Sequence, residues 1–327
     1  MEPLLKVEGL TKLFPVKKRK LIEEKRYVHA VEDVSFEVCP GETLGIVGES
    51  GSGKSTLART ILALTPASAG KVYYQGKDIT NFRVSGNEKR HLRSDLQMVF
   101  QDPYASLNPR LKIGDAIAEP MLVNGQAKNQ KEAREKVCHL LETVGLRPEV
   151  YERFPYEFSG GQRQRIGIVR ALAVNPKLLF CDESVSALDV SVQAQILNLF
   201  NELKEKFNLT YVFIGHDLAV IRYISDRILV MYMGKIMEIA SYDELFGENT
   251  HPYTQALISA VPEPTTAPRS ERIILEGDIP SAVNPPKGCR FCQRCFKAQP
   301  ECFEREPDMV QTGENHWIRC HFAKEAE

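Results

Sequence analysis

The sequence predicts an α/β fold: a mainly parallel sheet with an antiparallel β portion, a helical subdomain and a Cys-rich C-terminal extension. Three observations predict it. Short, wholly apolar runs alternate with segments whose apolar residues recur at helical spacing, the pattern of a sheet covered on both faces. A Gly-rich segment, Gly48 to Thr56, lies between one such run and one such helix. From about His251 the character changes: prolines punctuate the chain, and five of its eight cysteines crowd residues 289–320.

The elements follow in order. Val28, Ala30, Val31, Val34, Phe36 and Val38 fall in a short β-branched segment that suggests strands. Residues 39–42 make a turn, and 43–47 (TLGIV) a buried strand. Leu57, Ile61, Leu62 and Leu64 continue at helical spacing beyond the Gly-rich segment. Residues 71–80 read as a strand and turn, and 86–158 as more helical and more charged. Within the latter, Ala133, Val137, Leu140, Leu141 and Val144 mark one amphipathic helix. A further helix carries Ile166, Val169, Leu172 and Ala173. The apolar run 178–181 is a strand closed by Asp182-Glu183, and residues 191–206 form a helix. Residues 211–214 are a strand closed by Gly215-His216-Asp217, and 228–232 are another. These elements predict a first domain over 1–250, with a helical subdomain over about 86–165, and a Pro/Cys-rich extension over 251–327. No internal repeat or low-complexity tract interrupts them.

Composition narrows the function classes. A chain of 327 residues suits two domains, or one large domain with an appendage. Its 42 basic and 43 acidic residues leave a net charge of −1, without the basic footprint of a dedicated nucleic-acid binder. With 43% hydrophobic and 26% charged residues it reads as globular and soluble rather than disordered. No apolar run approaches the 18 or so residues that span a bilayer. The first residues lack the pattern of a secretory signal. With no export signal, the clustered cysteines read as a metal site before a disulfide framework.

Gly48 to Ser55 fits G-x-x-x-x-G-K-[ST], the P-loop. Its glycines let successive backbone N–H groups turn inward around phosphate oxygens, and the following helix adds its positive end. Gly48, Glu49, Ser50, Gly51, Ser52, Gly53, Lys54, Ser55 and Thr56 are therefore candidate nucleotide contacts. Lys54 can reach the β- and γ-phosphates of ATP, and Ser55 can offer its hydroxyl to Mg²⁺. Asp182 and Glu183 stand at a strand's carboxyl end, where ligand sites of such sheets cluster. One carboxylate can help hold Mg²⁺, and the next can polarise an attacking water.

At Ser159-Gly160-Gly161-Gln162, between the P-loop and Asp182-Glu183, the chain resembles the signature motif of ABC-type ATPases. The other motifs of that family line up in order. Gln101, in MVFQDP, matches the Q-loop, Ser186-Ala187-Leu188-Asp189 the D-loop, and His216 the switch histidine. Phe14 sits where the family places an adenine-stacking aromatic, with Tyr27 as the fallback. The resemblance implies a RecA-like P-loop NTPase core. It implies that Ser55 and Gln101 lie near Mg²⁺, that Asp182 holds the ion through water, and that Glu183 is the general base. His216 would donate to the γ-phosphate, and Ser159, Gly160, Gly161 and Gln162 would face the nucleotide of a partner subunit. DLQMVFQDPYASLNPRLKIGDAIAEP, ESVSALDVSVQAQILNLF and HPYTQALISAVP resemble the oligopeptide/dipeptide importer branch, closest to its F-type ATPase subunit. Phe158 stands where that signature usually has Leu, Ser184 where Pro is usual, and Gly215 where Ser is common. None of these removes a charged or phosphate-facing group, so the site is expected to be hydrolysis-competent.

The tail offers Cys289, Cys292, Cys295, Cys302 and Cys320. Four thiolates around one centre suit tetrahedral zinc or an iron–sulfur cluster. The resemblance selects Cys289, Cys295, Cys302 and Cys320 as ligands, leaves Cys292 as a spare, and implies a [4Fe–4S] cluster with Zn²⁺ as the alternative. It also implies partners: a sister ATPase (a heterodimer, or else a homodimer), two membrane permease subunits received near 104–124, and, indirectly, an extracytoplasmic solute-binding protein. The location implied is the cytoplasmic face of the membrane, as a peripheral subunit. Related importers of nickel, glutathione or other solutes are the alternative. ABC ATPases of DNA repair insert long coiled coils, absent from the hundred or so residues between Lys54 and Ser159. Translation-associated types carry two nucleotide modules, against one here.

Overall fold

A computed structural model describes residues 2–17, 25–102, 107–245, 247, 250–261 and 272–324. In chain order they form β1 (Leu5–Pro15), β2 (Tyr27–Val38), β3 (Thr43–Val47), α1 (Lys54–Ile61), β4 (Ala69–Tyr74), β5 (Lys77–Asp78), α2 (Gly86–Asp95) and β6 (Leu96–Val99). Next come α3 (Ile113–Val123), α4 (Gln130–Thr143), α5 (Gly160–Leu172), β7 (Leu178–Asp182), α6 (Val190–Phe207), β8 (Thr210–Gly215) and α7 (Leu218–Ile224). Then follow β9 (Arg227–Tyr232), β10 (Lys235–Ser241), α8 (Tyr242–Leu245), α9 (Pro252–Ser259), α10 (Pro300–Glu304), β11 (Val310–Gly313) and β12 (His316–Ile318). They divide into two compact units, one of residues 1–39, 43–81 and 215–327, the other of 40–42 and 82–214.

In the first unit, β1 pairs antiparallel with β2 and with β4, and β5 continues from β4. Leu5, Val7, Leu10, Val31, Val34 and Val38 bury its apolar side. Separately, β3 runs parallel to β9, whereas β10 is antiparallel to β9. All five residues of β3 are buried, as expected of a strand covered on both faces. β12 then pairs antiparallel with β10, so residues of the Cys-rich tail extend this sheet.

A buried polar knot ties the same strands. Glu238 on β10 is fully buried, 2.6 Å from His316 Nε2, and accepts a hydrogen bond from the His251 backbone N–H at 3.0 Å. Burial pushes its carboxyl above the usual range, although His316 works the other way. His251 Nδ1 accepts from the Tyr253 N–H and caps α9.

In the second unit, β6, β7 and β8 are parallel neighbours. Phe200 on α6 meets Tyr211 and Phe213 of β8 edge-on, at 5.7 and 5.4 Å between ring centroids. The hydroxyl of Tyr211 donates to the Phe200 carbonyl, so this buried polar atom is satisfied. The helices α2, α3 and α4 occupy the region 86–158 read as helical from sequence, but β6 interrupts that region as a strand. Its four residues, directly after the charged α2, are too few to show a period of their own.

Candidate active site

The Gly-rich loop leaves β3 and enters α1 in the first unit. Gly48 has φ of 157°, and a Cβ there would sit 2.1 Å from the Met231 carbonyl oxygen. Gly53 has φ of 104°, and its Cβ would lie 2.2 Å from the Ala30 carbonyl oxygen. Only glycine fits both the close approach and the left-handed backbone at Gly53. Lys54, directly after Gly53, is 4% exposed, and its ammonium donates to the carbonyls of Gly48 at 2.7 Å and Glu49 at 3.0 Å. Ser50 and Gly51 are exposed, whereas Ser55 and Thr56 begin α1 half-buried. The loop thus presents backbone N–H groups, one cation and a helix N-terminus, the equipment of an anion cradle.

His216 is exposed just after β8, and Asp217 beside it caps α7 by accepting from the Ala219 N–H. Phe14 lies near the end of β1, 38% exposed, with the Lys12 ammonium 4.7 Å from its ring centre. Tyr27, the other aromatic candidate, is the register partner of the neighbouring Pro15. Both aromatics therefore stand at one end of the β1–β2 pair.

In the second unit, Asp182 closes β7 fully buried. Glu183 follows in a left-handed conformation, φ 44°, rare for a residue with a Cβ. Its N–H donates to the Ile214 carbonyl at 2.9 Å, and its own carbonyl accepts from the Ser186 hydroxyl at 2.9 Å. The Gln101 side-chain amide donates to the Glu183 carboxylate at 2.7 Å. Ser159 and Gln162 form a reciprocal capping box at the start of α5. A Cβ on Gly161 would meet Val192 Cγ1 at 2.6 Å, so α5 lies close against the first turn of α6. Asp189 caps α6, and the Val192 N–H holds its carboxyl below the usual range. Of the 104–124 segment, residues 104–106 lie outside the described residues. Leu111 and Val123 are exposed on or beside α3.

In the tail, Cys289, Cys292, Cys295, Cys302 and Cys320 all line one cavity of about 200 Å³. The Cys289 N–H donates to the Cys302 carbonyl at 2.8 Å, and Gly288 fits where a Cβ would strike that carbonyl at 2.2 Å. Burial pushes the Cys289 thiol up to about 12 and raises Cys292, Cys295 and Cys320 as well. Thiolates there need a cationic partner. The sequence expectation of a metal or iron–sulfur centre meets a limit here. Among the described residues, no three His, Cys, Asp or Glu are gathered as the ligand set of a metal ion.

Sequence reasoning missed Tyr253 and Arg294. The Tyr253 hydroxyl accepts from the Glu49 N–H at 2.9 Å, and Arg294 grips the Glu49 carboxylate. Both partners lie more than 200 positions away, so no local pattern marks them.

Comparison with known proteins follows the same outline. The ABC transporter family matches residues 31–186, and the C-terminal region of oligopeptide/dipeptide transporters matches 237–302. The chain is 49% identical over 322 residues to the oligopeptide transport ATP-binding protein AppF of Bacillus subtilis, covering 98% of this chain and 97% of that one. It is 48% identical over 325 residues to the oligopeptide transport ATP-binding protein OppF of Haemophilus influenzae, covering 98% and 97%. Among solved structures it resembles the ATP-binding cassette MJ0796, a dimer in a post-hydrolysis state with ADP and Pi. The TM-score is 0.63 at 30% identity, over 73% of this chain and 98% of that one. Among the described residues, no helix is long and apolar enough to cross a membrane.

Proposed function

This chain belongs to the ABC transporter family, in its oligopeptide/dipeptide branch, and from that premise we propose how its residues turn ATP hydrolysis into peptide import. The observation that carries the reading is the loop 48–55, set between a strand and a helix, with the Lys54 ammonium held on the carbonyls of Gly48 and Glu49. Phosphoryl transfer is mostly positioning and charge neutralisation. Lys54 and the loop N–H groups supply both for the terminal phosphates. Ser55, Gln101 and Asp182 are oxygen donors of the kind Mg²⁺ takes, and they would hold it. That ion, when bound, neutralises charge on the phosphate oxygens. Glu183 takes the proton of the attacking water, and Gln101, hydrogen-bonded to it, orients its carboxylate. His216 donates to the γ-phosphate. Ser159, Gly160, Gly161, Gln162 and Asp189 serve the nucleotide of a partner subunit, and Phe14 stacks on adenine.

The working assembly in this proposal is a dimer with a sister ATPase on the cytoplasmic face of two permease subunits, supplied by a solute-binding protein. The nucleotide-binding domain is 1–250, with a helical subdomain at 86–165, and 251–327 is its extension. ATP hydrolysis by the purified chain, and peptide uptake into proteoliposomes holding the permeases and both ATPases, test this. Uptake that proceeds equally without ATP, or with a different solute only, refutes it.

For the tail, the proposal keeps a [4Fe–4S] cluster on Cys289, Cys295, Cys302 and Cys320, with Cys292 spare. Zinc, at Zn–S of about 2.3 Å, needs thiolates closing on a point. All five thiols border one cavity, which supports a shared centre among them. Iron and sulfide analysis and the visible absorption of anaerobically purified protein decide. A colourless protein with one zinc per chain overturns the cluster.

A further inference from the structure

Two arginines leave the cysteine turn for different places. Arg290, between Cys289 and Cys292, is 4% exposed and donates to Glu32 of β2 at 2.7 Å. Arg294, between Cys292 and Cys295, reaches the nucleotide loop. Its two Nη atoms donate to the two carboxylate oxygens of Glu49, at 2.7 and 3.2 Å. Nη1 also lies 3.4 Å from the Tyr232 hydroxyl. The pair is mostly withdrawn from water, with side-chain exposures of 9% and 26%. The Glu49 N–H is held by Tyr253, and the Glu49 carbonyl accepts from Lys54. Phe291 of the cysteine turn is 1% exposed and packs against Tyr232 and Tyr253 at 5.3 and 5.2 Å. One loop residue is therefore gripped at its side chain and its N–H by residues of 251–327, while its carbonyl holds the loop's lysine.

We propose that Arg294 is a positioning residue for the nucleotide loop, and that through it the geometry of the cysteine turn sets the affinity for ATP. The proposal rests on reading 48–55 as that loop. Glu49 is an anion inside a segment that must accept several phosphate charges. Without Arg294 its carboxylate repels them, in a partly buried site where screening is weak. The two parallel N–H···O bonds also fix the orientation of the loop, which a single ammonium cannot do. Because Arg294 sits between two thiols of the cavity, any change in how those thiols are held moves the guanidinium, and with it Glu49. Coupling of this kind is a free energy shared by two sites and carried by a named contact.

The test is a titration of the full chain with a fluorescent ATP analogue and Mg²⁺. Arg294→Ala is expected to weaken binding about tenfold, or about 1.4 kcal/mol, with KM raised and kcat changed much less. Arg294→Lys should recover part of the loss. Adding Glu49→Gln to Arg294→Ala should recover most of it, because the uncompensated charge is gone. Cys295→Ala should weaken binding in the wild-type background and have no further effect in Arg294→Ala. A folded Arg294→Ala protein with wild-type affinity overturns the proposal, as does a Cys295→Ala effect of equal size in both backgrounds. If Arg294→Ala does not fold, Arg294→Gln serves in its place, and unchanged affinity in that variant overturns the proposal equally. Failure of the wild-type chain to bind the analogue refutes the nucleotide-loop reading instead.

Discussion

Gln101 donates a hydrogen bond to Glu183 at 2.7 Å, joining the start of the loop after β6 to the residue that follows β7. This fixes the direction of the one carboxylate proposed to accept a proton. A positioned general base contributes about 10²–10⁴-fold. Glu183→Gln should lower kcat by that range and leave ATP binding intact, as read by phosphate release and by nucleotide titration. Gln101→Ala should cost about tenfold in kcat.

The backbone of Glu183 carries a second prediction. A left-handed residue with a Cβ costs about 1–2 kcal/mol. At φ 44°, Glu183→Gly should therefore be more stable than Glu183→Ala by about 1 kcal/mol, although both lose the base. Thermal melts of the two inactive variants make the comparison.

Lys54 is buried, with its ammonium on two loop carbonyls. A hydrogen bond to a charged group contributes roughly 1.5–3 kcal/mol. Lys54→Ala should weaken Mg-ATP binding by about 10- to 100-fold. Calorimetric titration checks this, and tight binding by the variant would remove the loop from the site.

Gly53 and Gly51 separate crowding from backbone strain. Both have positive φ, but a Cβ at Gly53 would lie 2.2 Å from the Ala30 carbonyl oxygen, whereas Gly51 has nothing within 4 Å. Gly53→Ala should destabilise by more than about 2 kcal/mol, and Gly51→Ala by about 1 kcal/mol. The melting temperature should fall further for the first.

His251 predicts a pH dependence. Burial lowers its imidazole from 6.5 to about 3. Between those values the unfolded chain holds the proton and the folded chain does not. Stability is therefore full above about pH 6.5 and falls with acidification, by about 1.4 kcal/mol per unit, until the folded value is reached. Glu238 acts with the opposite sign. Its raised carboxyl keeps its proton longer in the folded state, so its contribution falls as pH rises from 4.5. His251→Asn retains a cap and leaves Glu238 in place, so the difference between the two melting profiles isolates one proton. Parallel profiles would show that His251 is charged when folded.

Legibility followed the range of the interaction. The loop 48–56 is readable because its chemistry is contiguous and both flanking elements carry their own period. β1 is not, because register shifts between Val7 and Leu10 and a left-handed Gly9 break its alternation. β10 hides behind Lys235 and Glu238, charged residues that are buried only because Glu306, Glu32 and His316 meet them there. Gln101, Glu183 and the capping box at Ser159 sit within recognisable local motifs. Arg294 does not, since its meaning lies in Glu49, 245 positions earlier.

The pairing of Glu238 with Ile318 spans 80 positions. Closing a loop that long costs about 4 kcal/mol of chain entropy. A ribosome adding about 5–20 residues per second needs roughly 4–16 s to make the intervening chain. During that interval the outer edge of β10 has no β12 beside it, and an open edge is a template for wrong pairing. Nascent chains halted between β10 and β12 should therefore depend on holdase chaperones, and release from that dependence should coincide with emergence of Trp317 and Ile318 from the exit tunnel.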